Sequence, residues 1–465
     1  MASLVSLIQQ LRSDDLLHDE GLQRALLATD QRHFCAGAAQ RFCETDVPLP
    51  QGSRGGAVRS IAPLSTLALL LEQAAPKAGA GPVLVLGSDG GYSGYVLSEW
   101  LSPAAVVVVE ADPDLVALTR TRLGARPPRG DMVIARRDPW GGHPDHGPYQ
   151  AIVVLGALAE LPRTLVQQLA PSGLLVAAVG SQGEQPLLVY EAPPEGESAP
   201  SRPDAPAAGS ADEALFTAEE VRSFGSSGIT HVVAFPPLPR SVDAAQPWQP
   251  DLTVREVVDA AWQFRLSDDH QGPFLAQSAK GMRIFEHPHP DLALPGLSPR
   301  KDAMAIMELA YLFQMLQQYR TATDLYELSL SVLPTSEAHT FLGWAHSFQG
   351  RYDRAIEECH KAIAADPTLG NPYNDLGAYH IERGQLEEAI PWLQKATKAP
   401  RYDSPFFAHA NLGRVHLMLG QVDEARRELL RALEQNPQYP LAKALLKELD
   451  QTLQQVEEEE RGESE

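Results

Sequence analysis

The chain has 465 residues, of which 44% are hydrophobic and 21% charged, and it carries a formal net charge of −22. That length allows roughly three domains with separate cores, and so large an excess of acids argues against nucleic acid as a partner, because phosphate neutralisation needs basic patches. Three cysteines (Cys35, Cys43, Cys359), none in a CxxC spacing, fit a reducing, cytoplasmic setting without a disulfide frame or zinc site.

Residues 1–35 predict amphipathic helix, with apolar positions at Leu4, Leu7, Ile8 and Leu11, then Leu22, Leu26 and Leu27. Arg12, Asp14 and Asp15 end the first apolar run too early for a secretory signal. No stretch approaches the roughly 18 apolar residues that span a bilayer, so no membrane is expected. Residues 44–60 read as a loop rich in Pro and Gly, and Ser60–Gln73 as a buried helix. Val83–Leu86 then forms an apolar strand that ends in Gly87-Ser88-Asp89-Gly90-Gly91. A helix to Trp100 follows, and a second apolar run closes on Glu110. This is a strand–turn–helix–strand unit of the nucleotide-binding kind. The glycines let backbone approach a ligand, and the helix N-terminus offers free N–H groups. Glu110 lies about 20 residues past the turn, where an acid can take both ribose hydroxyls.

A helix at Pro113–Leu123, strands at Met132–Ala135 and Ala151–Leu155, a helix at Pro162–Leu169 and a strand at Leu174–Val179 continue the alternation. Such alternation predicts a doubly wound, mostly parallel sheet. Residues 191–213 break it with Pro193, Pro194, Pro200, Pro203 and Pro206, the composition of a disordered insertion. Phe216–Phe224 and His231–Phe235 are expected to rejoin the sheet, giving a first domain over 1–242. Residues 243–300 form a connector without an assigned role, holding a helical candidate (Val254–Phe264) and a short strand (Met282–Phe285). His143, His146, His287 and His289 lack partners at metal spacing, so no metal is expected.

From about Ala303 the chain repeats. Leu342-Gly343, Leu376-Gly377 and Leu412-Gly413 recur at spacings of 34 and 36 residues, each followed seven residues later by Gly350, Gly384 or Gly420. Ala355, Ala389 and Ala425 keep the register, and Pro334, Pro367, Pro400 and Pro437 end the units. This resembles the tetratricopeptide repeat, a helix–turn–helix unit of about 34 residues. Leu309–Pro334 fits a first repeat with Ala310 in place of the glycine, giving four repeats and a capping helix over 301–456 and an acidic tail over 457–465. His346, His380 and His416 share one register position and read as packing between repeat helices.

The order of segments over about 10–240 resembles the protein-L-isoaspartate (D-aspartate) O-methyltransferase family. Leu11-Arg12, Leu22, Ala25-Leu26 and Arg32-His33-Phe34 match its N-terminal pattern, and Asp46-Val47-Pro48-Leu49-Pro50-Gln51-Gly52 its Asp-x-x-Leu-Pro-Ile-Gly loop. Val83–Tyr92, Tyr149–Val153 and Leu161–Gly180 match three further segments. The resemblance implies a Rossmann-like α/β methyltransferase domain followed by an all-α solenoid, with S-adenosylmethionine (AdoMet) as cofactor. It places Gly87, Ser88, Asp89, Gly90, Gly91 and Glu110 around the cofactor and Asp138 near the adenine. There are departures. The family's acid before the turn is Val85 here, and its middle glycine is Asp89, whose carboxylate could hold the cofactor's ammonium or repel its carboxylate. The substrate loop is rebuilt as Ser53–Ala62, with Ser60 where the family has Thr and Ala62 where it has Ser.

The chemistry implied is mild. An ionised substrate carboxylate attacks the cofactor's methyl group in line, so alignment and desolvation carry catalysis. Ser60 would hold that carboxylate, and Arg54 or Arg59 would neutralise it. The expected function is isoaspartyl-type carboxyl methylation of a protein or peptide substrate, with the repeats recruiting a protein partner in their groove. The alternative is an inactive methyltransferase-like scaffold that works through its repeats.

Overall fold

The N-terminal stretch divides into α1 (Leu4–Ser13) and α2 (Glu20–Ala28). Asp19 starts the second helix afresh by accepting the Leu22 N–H at 2.7 Å, and Leu7, Ile8, Leu11, Leu22 and Leu26 are buried. The computed structural model describes residues 4–14, 16–35, 37–54, 57–78, 81–101, 105–180, 186–196, 214–217, 238–250, 252–265 and 298–462. The chain forms two units, Met1–Gln277 and Ser278–Glu465.

In the first unit, the predicted loop over 44–60 contains a hairpin, β1 (Leu49–Arg54) and β2 (Ala57–Ile61), with its register shifted between Pro50 and Gly52. Prolines and glycines hide such a strand from propensity, because they are tolerated only at edges and bulges. Ser60 and Ile61 therefore belong to β2, and α3 (Leu64–Ala78) starts four residues later than predicted. Its first turn is held by Asp46, which accepts the Ser65 N–H at 2.9 Å.

The central sheet is built by β3 (Val83–Leu86), β4 (Val106–Glu110), β5 (Met132–Arg136), β6 (Tyr149–Leu158), β8 (Leu169–Val179) and β9 (Leu187–Glu191). A short β7 (Glu160–Pro162) lies outside it. The order is β5-β4-β3-β6-β8-β9, parallel throughout except for antiparallel β9. Helices α4 (Tyr92–Leu101) and α5 (Pro113–Ala125) pack on β4 and β5, and α3 packs on β6 and β8. Both faces of the middle strands are thus covered, which is why Val83–Leu86 and Val106–Val109 are unbroken apolar runs at 0–1% exposure. The sequence order reverses between β3 and β6, and at such a switch point ligands bind beyond the carboxyl ends of the strands. The predicted helix at 162–169 shrinks to α6 (Arg163–Val166), because Leu169 already enters β8.

β10 (Ala214–Thr217) pairs with β7 rather than with the main sheet. The insertion beyond residue 196, the His231–Phe235 strand and the Met282–Phe285 strand lie outside the described residues. The first part of the connector packs on this unit: β11 (Trp248–Gln249) pairs with β1, and α7 (Val254–Arg265) lies against β1.

The second unit is a series of antiparallel helix pairs: α8 (Ser298–Met315) with α9 (Tyr319–Val332), α10 (Ser336–Phe348) with α11 (Tyr352–Ala365), α12 (Asn371–Glu382) with α13 (Leu386–Ala396), and α14 (Phe406–Met418) with α15 (Val422–Gln435). A terminal α16 (Pro440–Gly462) packs on α15. The turn glycines Gly350, Gly384 and Gly420 have φ of 69°, 73° and 72°, a conformation other residues adopt at a cost. The first-helix glycines serve contact instead. A Cβ on Gly413 would stand 2.6 Å from Leu429 Cγ, and one on Gly343 would stand 3.1 Å from the Ala355 carbonyl. His380 and His416 bond Gln385 at 3.0 Å and Gln421 at 2.6 Å, and His346 is buried. These contacts are helix packing.

Candidate functional site

The carboxyl ends of β3 and β4 meet at Gly87–Gly91 and Glu110. Gly87, Gly90 and Gly91 have φ of 85°, 71° and 91°, and the Gly87 N–H donates to the Val109 carbonyl at 2.8 Å. This turn brings the Ser88 N–H onto Glu110 Oε2 at 2.7 Å, while the Asp112 N–H donates to Glu110 Oε1 at 2.8 Å. Glu110 is 3% exposed. Burial pushes its carboxyl up, while the Asp112 N–H, the charge of Arg59 and the Ser88 N–H pull the other way. Arg59 stands on β2, so the hairpin's charge acts on this carboxylate.

Asp89 does not face outward. It is 4% exposed and turns into the start of α4, accepting the Ser93 N–H at 3.1 and 3.0 Å and the Ser93 hydroxyl at 2.5 Å. Burial pushes its carboxyl up and the Ser93 bonds oppose that. In this structure the carboxylate is spent on its own helix. Val85 is buried between Val108 and Val153 of the neighbouring strands, so it completes the sheet core where the family has an acid.

Arg54, expected near a substrate carboxylate, is 8% exposed and engaged elsewhere. Its Nε and one terminal nitrogen donate to the two oxygens of Asp112, each at 3.0 Å, and it also pairs with Asp114 and the Gln246 carbonyl. Arg54 locks the hairpin and the 238–250 segment to the start of α5. Ser60 lies opposite Pro50 in the hairpin and is half-buried. Asp138 is exposed and caps a single turn at Pro139–Gly141, accepting the Trp140 N–H at 3.0 Å. The structure therefore brings Gly87, Ser88 and Glu110 into one bonded cluster, keeps Asp89–Gly91 beside it, and places Asp138 on a separate loop and Ser60 on β2.

Sequence reading missed several residues here. Arg122 donates to Gln51 Oε1 and lies near the Gly90 carbonyl, at 3.5 Å. Leu238 packs against the turn, its Cδ1 2.9 Å from where a Cβ on Gly87 would stand, and its carbonyl accepts the Trp140 indole N–H at 2.9 Å. Asp112 was not singled out either, although Asp112-Pro113 carries a local signal, since Asp-Pro opens helices. Arg122, Gln51 and Leu238 carry no local signal, because tertiary folding alone brings them here. Among the described residues no group of three or more His, Cys, Asp or Glu is arranged to hold a metal.

A carboxylate accepts about four hydrogen bonds. With one backbone N–H on each oxygen, Glu110 keeps an acceptor site per oxygen, which matches the two hydroxyls of a ribose. The residues present thus fit a nucleoside group at this edge. Fold and site together define a Rossmann-like methyltransferase unit, carried with a helical-repeat solenoid.

Comparison with known proteins agrees. The family profile for protein-L-isoaspartate(D-aspartate) O-methyltransferase matches residues 3–201, and tetratricopeptide profiles match 336–369, 373–398 and 406–439. The protein-L-isoaspartate O-methyltransferase of Gloeobacter violaceus is 33% identical over 192 residues, covering 39% of this chain and 88% of that one. Its counterpart in Aeropyrum pernix is 29% identical over 191 residues, covering 41% and 72%. A solved protein-L-isoaspartate O-methyltransferase aligns over 41% of this chain and 60% of that chain, at 19% identity and a TM-score of 0.37. The chain belongs to the protein-L-isoaspartate (D-aspartate) O-methyltransferase family, with tetratricopeptide repeats following the family domain.

Proposed function

We propose that this protein is an AdoMet-dependent carboxyl O-methyltransferase acting on isoaspartyl residues of protein clients, and that its repeats bring a protein partner to the catalytic unit. The observation that carries the first part is Glu110, buried at the end of β4 with one acceptor site left on each oxygen. In this reading Glu110 takes the ribose hydroxyls, and the backbone of Gly87–Gly91, with Asp89 as its internal brace, lines the rest of the cofactor. By the family pattern, Asp138 is the acid assigned to the adenine end. When bound, AdoMet supplies an electrophilic methyl group that a carboxylate oxygen can accept, leaving S-adenosylhomocysteine. The protein's own work is to orient and desolvate the acceptor. Ser60, half-buried on β2, is the candidate to hold it, and Arg59 on the same strand is the available cation, because Arg54 is committed to Asp112 and Asp114. The names of the relatives favour this over an inactive scaffold. Three free cysteines, all buried, fit a reducing cytoplasm, and no helix among the described residues is long and apolar enough to cross a membrane.

The test is calorimetric titration with AdoMet and S-adenosylhomocysteine. Micromolar binding is expected, weakened about 10- to 100-fold by Glu110→Ala, the value of one or two hydrogen bonds to a charged group. Methylation of an isoaspartyl peptide should fall in parallel. No binding by the parental chain would return the scaffold reading.

A further inference from the structure

The repeat unit holds a cavity of about 260 Å³ between α10, α12 and α14. Phe341, Trp344, Tyr402 and Phe407 give it aromatic walls, and Asn374 and Asp375 of α12 are among the polar residues that also line it. Trp344 is 37% and Phe407 39% exposed, unusual for rings of this size away from a contact surface. The strip continues along α10, where Trp344 lies 5.5 Å from Phe348, itself 50% exposed.

Asp375 is the anomaly in this lining. Its register position is held by Phe341 one repeat earlier and by Asn411 one repeat later, so repeat packing does not demand an acid. Its carboxylate accepts from Asn374 Nδ2 at 3.2 Å, and the Asn374 carbonyl oxygen in turn accepts from Asn411 at 3.1 Å. That bond leaves the Asn374 amide nitrogen for Asp375. The cation beside the cavity is already shared: Arg401 pairs with Glu337 at 2.7 Å and with Asp366. One guanidinium shared by two carboxylates leaves that cluster a negative excess, and Asp375 adds a further acid at the lining, so the cavity's charge is negative. Burial pushes Asp375 up to about 7, against the smaller opposing effect of the Asn374 bond.

We propose that this cavity receives a Lys or Arg side chain from an extended segment of a partner protein, with Asp375 as counter-ion and the aromatic walls packing its stem. The proposal rests on the reading that the repeats hold a protein partner and names that partner's chemistry. A desolvated carboxylate stabilises a cation brought to it, and aromatic faces add attraction for ammonium or guanidinium. The alkyl stem suits an apolar wall. The amides of Asn371 and Asn374 stand at the same lining to meet the backbone of an extended chain. Apolar residues beside the basic one would lie on Trp344 and Phe348. An acidic peptide is the wrong sign, and so is the chain's own 457–465 stretch with its six acids.

The test uses the full-length chain and three fluorescent nonapeptide pools with randomised apolar and small flanks, carrying Lys, norleucine or Glu at the centre. Fluorescence anisotropy should rank the Lys pool at least tenfold tighter than the norleucine pool, with the Glu pool weakest. Asp375→Asn should erase the Lys preference while leaving norleucine-pool affinity unchanged, and a thermal melt should show that its repeats remain folded. The Lys preference of the parental chain should also shrink from pH 8 to pH 6 as protons compete for Asp375. Cys359, Tyr379 and Tyr402, which feel the charge of Asp375, are pushed up and stay neutral there. His339 and His409 on the flanking helices bond Glu358 and Glu428, and the Asp375→Asn chain controls for their titration. Equal affinity for the Lys and norleucine pools, or a Lys preference surviving in Asp375→Asn, overturns the basic-peptide assignment alone. Failure of all three pools overturns the groove reading with it, while methyl transfer, assayed separately, is untouched by either result.

Discussion

Asp112 joins helix start, hairpin and candidate site, so its removal tests that architecture most directly. Its carboxylate is fully buried, accepts both Arg54 nitrogens at 3.0 Å, and caps α5 by accepting the Asp114 N–H at 2.9 Å. Asp112→Asn keeps a capping oxygen, since Asn caps about as well as Asp, but removes the charge opposite buried Arg54. Breaking a buried ion pair from one side costs about 3–5 kcal/mol. Arg54 retains the half-exposed Asp114 and the Gln246 carbonyl, which lowers the expectation to about 2–3 kcal/mol. Asp112→Ala loses the cap as well, adding about 1 kcal/mol.

Urea unfolding followed by tryptophan fluorescence reads this, because Trp248 lies 5.9 Å from the Arg54 guanidinium and reports undocking of the hairpin. At a slope of about 2 kcal/mol per molar, Asp112→Asn should lower the midpoint by about 1–1.5 M. The double variant Arg54→Met with Asp112→Asn should be less destabilised than the two single changes added together, by about 2 kcal/mol, because no charge is left stranded. A loss below about 0.5 kcal/mol for Asp112→Asn, or strict additivity in the cycle, would refute the claim that this pair docks the hairpin.

Three further outcomes follow from the same structure. Glu110→Gln should weaken AdoMet binding nearly as much as Glu110→Ala, because an amide presents a donor to the Ser88 or Asp112 N–H; calorimetry equal to the parental chain would contradict the acceptor role. Gly413→Ala should destabilise the repeats by about 1–3 kcal/mol through overpacking on Leu429, and Gly384→Ala by about 1 kcal/mol through its φ of 73°, both read from thermal melts. Glu358 and Glu428 are held below the usual carboxylate range: burial pushes each up, but the bond to His339 or His409, each at 2.6 Å, and the nearby Lys361 or Arg431 pull further down. A depressed acid stabilises the fold above its unfolded pKa of about 4.3 and loses that contribution as pH falls through the lower folded value. The repeats should therefore lose melting temperature steadily below about pH 4.3, and Glu358→Gln should flatten that slope.

The repeats were legible almost residue by residue, because each Leu-Gly pair and each turn glycine answers a local demand: a close helix contact or a left-handed turn. The central sheet was equally plain, since strands buried on both faces become unbroken apolar runs. The hairpin at 49–61 was not. Its β1 strand carries Pro50 and Gly52, and what holds it is distant in sequence: Trp248 and Gln249 as a third strand and Asp112 as the anchor of Arg54. The same holds for the candidate site. Glu110 followed from strand periodicity, whereas Arg122, Gln51 and Leu238 reach the turn only through tertiary folding.

The two departures from the family pattern have separate physical meanings. Val85 replaces an acid at a position flanked by β4 and β6 and 0% exposed, where an apolar side chain avoids the cost of a buried charge. Asp89 replaces a glycine, yet its carboxylate satisfies the Ser93 N–H and hydroxyl at the start of α4. One change favours the sheet core and the other the helix cap, and both spare Glu110. The Ser93 bonds favour a helix role for Asp89 over either role toward the cofactor, its ammonium or its carboxylate. Asp89→Gly should then cost stability, about 1 kcal/mol as for a lost cap, while changing AdoMet affinity little. A large gain or loss in affinity with unchanged stability would put the carboxylate back in the cofactor site.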